Sequence, residues 1–429
     1  MACLTVALLS GASAALGQNG SLNDQVKDHE QKLAEARSQK NYRNVAIELN
    51  TLGPLYRQTG QPQKALDVYN QALQIEQAGG NRSAQALTQT GIARVYTDLG
   101  QQQKALDILI QVLPTWRALG NRRGEALTLT DIGRVYSFLA QEDKALDFLN
   151  QSLVIFRETG GRNGEATALD IIGKVYSDMS QGTKALEYLN QALPIWHELG
   201  ERGGEALTLD NIGRTYSDMG QKAKTLESYD KALAIWREIG NRQGEAASLD
   251  DLGRVYSDLG QKQTALDYFN QGLPIWREVG NRNGEALDLN DIGRAHADLD
   301  QSQQALDFYN KALPIWREVG NRRGEAMTLS NIAKAYLDLE EFDKTLETSF
   351  ESLPVWREVK ETRGEAMALS LIGAAYSKKG QRETAFPYSL AALELAKSVG
   401  DPDMQGAIDT AMMIGFQKQS RPEIAIFSD

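Results

Sequence analysis

Between Asn41 and Gly400, apolar residues recur at spacings of three and four, in blocks separated by short polar stretches that contain glycine. Within residues 241–280 the first block carries Ala246, Leu249, Leu252, Gly253 and Tyr256, and the second carries Ala265, Leu266, Phe269, Gly272, Leu273 and Trp276. That spacing lays side chains along one face of a helix. Each block of about 17 residues predicts a helix roughly 25 Å long. Gly260 and Gly280 close the two helices, because glycine takes the left-handed conformation at a helix C-terminus without a Cβ penalty. Asn241 opens the first helix, where its side-chain carbonyl accepts an otherwise unpaired amide hydrogen. Glu245 puts negative charge near the positive end of the helix dipole.

The same pair of blocks returns every 40 residues. Nine units begin at Asn41, Asn81, Asn121, Gly161, Glu201, Asn241, Asn281, Asn321 and Glu361. A fixed period of this size signals a stacked array, in which each unit buries its apolar face only against its neighbours. The fold expected is all-α: a solenoid of nine helix-turn-helix units with a capping helix at each end. Residues 18–40, with Leu22, Val26 and Leu33 on one stripe, form the first cap. Asp401-Pro402-Asp403 starts the last, which runs over 401–417 and leaves 418–429 as a tail. Residues 1–17, apolar and then small, read as a possible signal peptide, although no Lys or Arg precedes Lys27. Export to the periplasm is the corresponding expectation, with a cytoplasmic location as the alternative.

Gly253, Tyr256, Ala265, Phe269 and Gly272 carry the small-and-aromatic pattern of the tetratricopeptide repeat (TPR), here in a 40-residue form. The unit resembles those of kinesin light chains and of cell-polarity adaptors with extended repeats. It is closer still to bacterial, especially cyanobacterial, arrays built from LPIWR…GEA units. The resemblance covers residues 41–400 and implies a right-handed superhelix whose first helices line a concave groove. It also implies a role in protein–protein interaction.

Three features stand out within the repeat. Pro114, Pro194, Pro274, Pro314 and Pro354 fall inside second helices, where a proline costs roughly 3 kcal/mol and frees the carbonyl four residues back. A bend at each is the expectation. Lys360 replaces the seam glycine before the ninth unit, and a left-handed lysine costs on the order of 1 kcal/mol, so that seam should be the least regular. Trp116, Phe156, Trp196, Trp236, Trp276, Trp316 and Trp356 form one column, on the same helix face as the leucines, and belong to the core between repeats.

Composition narrows the function. A net charge of −11 and a pI near 5.1 lack the basic face that non-specific nucleic-acid binding needs. Cys3 is the sole cysteine, which excludes a disulfide framework, a thiolate metal cluster and a cysteine nucleophile in the repeats. His29, His197 and His296 lie far apart in the array, and the latter two read as packing variants of repeat positions. No catalytic constellation, cofactor motif or metal-ligand spacing emerges, so a non-enzymatic role is expected.

What remains are polar rows on the first helix of each unit. One is basic: Arg94, Arg134, Lys174, Arg214, Arg254, Arg294 and Lys334. A second comprises Asp131, Asn211, Asp251, Asp291 and Asn331, and a third is acidic, including Asp218, Asp258 and Asp298. Thr130, Asp170, Asp210, Asp250 and Asn290 form a fourth. One explanation is exposed Arg–Asp pairs four residues apart, each contributing a few tenths of a kcal/mol. The other is a peptide-binding ladder. Counting Asp250 with Asp251, Arg254 and Asp258 makes the groove net negative, which favours a basic or neutral protein segment as partner. The expected function is thus a scaffold or adaptor that binds such a segment, with a monomer favoured. The resemblance also implies an alternative, a sensor module for a separate caspase-like peptidase or other effector. Self-assembly through the solenoid ends is a further reading, against which the polar caps argue.

Overall fold

The computed structural model describes residues 22–400 together with 405 and 406. The possible leader over 1–17 lies outside the described residues, as do the last helix and tail except for Gln405 and Gly406, which are helical. The elements in chain order are α1 (Leu22–Ser38), α2 (Tyr42–Gln58), α3 (Pro62–Ala78), α4 (Arg82–Asp98), α5 (Gln102–Ala118), α6 (Arg122–Phe138), α7 (Glu142–Thr159), α8 (Arg162–Asp178), α9 (Gly182–Leu199) and α10 (Arg202–Asp218). They continue with α11 (Lys222–Glu238), α12 (Arg242–Asp258), α13 (Lys262–Glu278), α14 (Arg282–Ala297), α15 (Ser302–Glu318), α16 (Arg322–Asp338), α17 (Phe342–Glu358), α18 (Thr362–Lys378) and α19 (Arg382–Ser398). No strand occurs among the described residues.

The chain divides into two compact units, residues 1–240 and 241–429. In the first, each helix packs on the next, and α2, α4, α6 and α8 also touch α4, α6, α8 and α10 respectively. In the second, α12, α14 and α16 touch α14, α16 and α18 in the same way. Each unit is therefore an all-α solenoid, with contacts confined to near neighbours in sequence. The α1 helix covers the exposed side of the first pair by burying Val26, Leu33 and Ala36, while its other positions stay polar.

The seams are built as their residues require. At Gly280 the backbone turns left-handed (φ 69°), the Gly280 amide donates to Arg277 O, and the Asn281 amide donates to Trp276 O at 3.0 Å. The Asn281 side chain then accepts from the Gly284 amide at 3.0 Å, so one helix is closed and the next opened within five residues. Lys360 does not spoil its seam. It turns left-handed (φ 55°) and makes the same two bonds, Lys360 to Arg357 O and Glu361 to Trp356 O, both 3.1 Å. Lys40, Ala140, Ser180, Asp300 and Glu340 do likewise, because packing on both sides dictates the turn and the residue bears the strain. What seam 360 lacks is the asparagine cap, since Glu361 makes no side-chain bond to the helix start.

The interior prolines are accommodated inside unbroken helices α5, α9, α13, α15 and α17, and Pro54 and Pro387 sit inside α2 and α19 in the same manner.

Within each compact unit the aromatic column explains glycines that open Gly-Glu-Ala. A Cβ on Gly284 would fall 2.4 Å from Trp276 Cδ2, and one on Gly204 would fall 2.5 Å from Trp196 Cδ2. Phe156 presses on Gly164 in the same way. Trp196, Trp276 and Phe156 thus lie against the backbone of the following repeat, where only glycine leaves room for the ring.

Candidate interaction surface on the first helices

The first helix of each pair is mostly sunk in the array. Along α12, residues Gly244, Glu245, Ala246, Ser248, Leu249 and Asp250 are buried, whereas Gln243, Ala247, Asp251 and Arg254 are partly exposed and Asp258 is exposed. Solvent therefore meets a narrow stripe at spacings of three and four, one strip per repeat. In the first unit the stripe is apolar at Ile47 and Leu87, which are 51% and 58% exposed.

The charged rows within these stripes are largely engaged with one another. Arg57 Nε donates to Asp98 at 2.7 Å, Arg94 Nε to Asp131 at 2.8 Å, and Arg254 Nε to Asp291 at 3.0 Å. Asp178 accepts from Lys174 at 2.5 Å and from Arg214 at 2.6 Å. Asp291 also faces Arg294 at 3.5 Å, Lys262 pairs with Asp298 at 2.7 Å, and Ser177 reaches Asp218 at 3.4 Å. Lys174–Asp178 is a pair four residues apart of the expected kind, but Arg57, Arg94, Arg214 and Arg254 instead reach into the adjoining repeat. Asp131 and Asp291 are buried by these arginines. The charge of Asp131 raises Arg94 above the ordinary arginine range against the opposing effect of burial. Burial alone would lower Arg254, yet Asp291, Asp251 and Asp250 together raise it. At Arg134 burial dominates and pushes the guanidinium down. Asn331 donates to Asn290 at 3.0 Å, while Asp258 and Lys334 are exposed, and Asn211 and Asp251 are half-buried.

The fourth row is not on the surface stripe. Asp170 and Asp250 are buried and Asp210 is half-buried, and each accepts the indole N–H of its own repeat's tryptophan: Trp196 to Asp170 at 2.7 Å, Trp236 to Asp210 at 2.8 Å, Trp276 to Asp250 at 2.9 Å. Trp356 donates to Ser330 in the same place, at 2.9 Å. Thr208 of the next repeat adds a second bond to Asp170, at 2.7 Å. Burial pushes the Asp170 carboxyl up to about 7, against the lowering effect of these two donors. These residues fasten helix to helix and line no groove. The signal was present in the sequence: where the column has Phe156, which has no N–H, the partner position holds Thr130.

Two further features escaped the sequence reading. At the seams, Glu125 accepts from Arg117 at 2.9 Å and Arg122 at 2.6 Å, and Arg122 continues to Glu158 at 3.0 Å; Glu165 repeats this with Arg157, Arg162 and Glu198. On another edge, Tyr136 stacks on Phe148, Tyr176 on Tyr188 and Tyr256 on Tyr268, with Lys144 and Lys184 lying over the first ring of the first two pairs. His296 takes the tyrosine's place against Phe308, at a ring separation of 5.3 Å, as a packing variant would.

No curated protein sequence matches the chain. A tetratricopeptide repeat profile matches residues 82–158, 164–224, 223–278, 263–318 and 284–358, and a second matches 49–78. Among solved structures, a signal transduction ATPase with numerous domains that has a tetratricopeptide repeat sensor, from Pyrococcus horikoshii, superposes with a TM-score of 0.62 at 13% identity, covering 84% of this chain and 55% of that one. The apo quorum sensor NprR from B. thuringiensis gives 0.55 at 15% identity, over 87% of this chain and 99% of that one. A Rap protein complexed with competence and sporulation factor gives 0.51 at 13%, over 79% and 98%. At such identities the likeness is one of fold. The profile matches, spanning more than half of the chain, show that it belongs to the tetratricopeptide repeat family.

Proposed function

We propose that the chain is a protein-interaction scaffold whose first-helix stripes hold an extended peptide or protein segment. The observation that carries this is the stripe itself: repeated strips of partly exposed side chains, held by buried carboxylates and cross-repeat ion pairs in a surface set before any partner arrives. Pre-organisation of this kind lowers the ordering cost of binding. With Asp170, Asp210 and Asp250 occupied beneath the surface, and most stripe arginines matched by aspartates, the strips are close to charge balance. A near-neutral segment therefore suits them better than a strongly charged one. Ile47 and Leu87 offer apolar contact in the first unit. The Rap structure with competence and sporulation factor shows that a protein of this fold is complexed with a factor, which supports the reading.

The test is selection from a displayed peptide library against the full chain, followed by calorimetric titration of the selected peptides into variants. Arg294→Glu and Lys334→Glu alter exposed positions, and Ile47→Ser with Leu87→Ser alters the apolar strip, without touching the core. Loss of affinity by tenfold or more in either set supports the scaffold. Unchanged affinity in both overturns the assignment of these stripes.

A second reading is a sensor module acting on a separate effector. It draws on the superposition with the ATPase that has a tetratricopeptide repeat sensor, which extends over 84% of this chain. A binding partner that is itself an enzyme, with activity altered by this chain, distinguishes it from a passive adaptor.

A further inference from the structure

Helices α12, α13 and α14 meet around Gly272. A Cβ there would lie 2.7 Å from Asp250 Oδ1 and 2.9 Å from Asp288 Oδ2, so two carboxyl groups from different repeats flank the same small space. Both are interior: Asp250 is 3% exposed and Asp288 is 0% exposed. Asp250 Oδ2 accepts the Trp276 indole, but no protein donor reaches Asp250 Oδ1 or either oxygen of Asp288. In two other repeats the position of Asp288 holds a threonine whose hydroxyl donates back to the preceding repeat, Thr208 to Asp170 at 2.7 Å and Thr328 to Asn290 at 3.2 Å. Asp288 thus stands where the architecture needs a donor. An ionised carboxylate only accepts, whereas a carboxylic acid also donates. Two ionised carboxyls side by side in the buried interior would repel each other with little screening from bulk solvent.

We propose that Asp250 and Asp288 share one proton, making the junction of α12, α13 and α14 a proton-binding site whose packing loosens as the pH rises. The charged groups facing the pair are Asp251 and Arg254 on α12 and Asp291 on α14; α13 contributes Gly272 and the Trp276 indole. Burial pushes Asp250 up to about 7, against the pull of Arg254. Burial, then the charge of Asp250, pushes Asp288 well above the carboxylate range. The folded pair keeps its proton in a range where the unfolded chain, with ordinary aspartates, has released it. The folded state then binds more protons, so this contribution to stability is complete on the acid side and is lost as pH rises through the folded range. One proton makes the unfolding constant of the junction change by at most about tenfold per pH unit.

The experiment compares the full chain with Asp288→Thr, which restores the residue type found at 208 and 328, and with Asp288→Asn, which keeps the shape and cannot hold the acidic proton. Infrared spectra between pH 5 and 9 read the carbonyl stretch of protonated carboxylic acid. Buried Asp170 contributes equally to all three proteins and cancels in the difference. The expected result is an acid band at pH 7 that is larger in the parent chain than in either variant once the common Asp170 signal is subtracted, with a urea midpoint that falls from pH 5 to 9 more steeply than in either variant. Identical spectra at pH 7, or parallel midpoint curves, would overturn the shared proton. Should Asp288→Thr disturb packing, the same comparison with Asp288→Asn decides.

Discussion

The bond between Asp170 and Trp196 lends itself to a double-mutant cycle. Trp196→Phe removes the indole donor while filling nearly the same space, leaving a carboxyl that is 1% exposed with Thr208 as its remaining donor. Asp170→Thr removes the acceptor and strands the indole N–H, the situation seen natively at Trp116 Nε1, which has no partner opposite Thr90. Each single change leaves a buried polar group short of a partner, at a cost of about 1–3 kcal/mol. The double variant recreates the Thr130/Phe156 pairing of the third repeat, in which neither group is stranded. Its cost should fall short of the sum of the singles by about 1–3 kcal/mol. Circular dichroism during urea unfolding measures this without relying on the tryptophan being removed. The coupling should be larger at pH 8.5 than at pH 5.5, because above about 7 Asp170 is ionised and its bonds become charge-assisted. Additivity of the two singles to within about 0.5 kcal/mol at pH 8.5 would refute the pairing as the reason for both residues.

Three other outcomes can be checked by the same denaturation assay. Gly284→Ala drives a Cβ to 2.4 Å from a buried indole; overpacking of about 1–3 kcal/mol, less about 1 kcal/mol gained in helix propensity, leaves a net loss of about 0–2 kcal/mol. At the seams, Asn281→Ala should cost about 1 kcal/mol, whereas Lys360→Gly and Glu361→Asn should each stabilise by up to about 1 kcal/mol, since the first removes the Cβ strain of a left-handed lysine and the second supplies the cap that seam lacks. Burial pushes the Glu125 carboxyl up, but Arg117 and Arg122 outweigh it and hold it below the ordinary glutamate range. The stability it adds is present above the unfolded value and disappears as the pH falls through the lower folded value. Glu125→Gln should therefore be destabilising at pH 7 and nearly neutral in strong acid.

Helix extents, the seams and the order of pairing were legible in the chain itself, because each is decided within about one helical turn: Gly280 must stop a helix, Asn281 must start one, and Leu249, Leu252 and Tyr256 must share a face. Lys360 takes the same turn as the seam glycines, since its local cost is the same in any context and the packing that over-rides it is not local. Tertiary structure alone decided which polar side chains are surface and which are interior. Asp250 and Asp251 are adjacent letters about 100° apart on one helix, so one meets Trp276 in the core and the other pairs with Arg254 on the partly exposed stripe. Likewise, only the stacking of repeats brings Arg254 to Asp291, 37 positions along the chain, in place of the nearer Asp258. Spacing within a helix is an intrinsic property of the backbone, whereas proximity between repeats depends on how closely Trp276 and Gly284 allow two helices to approach, and no periodicity in the letters contains that distance.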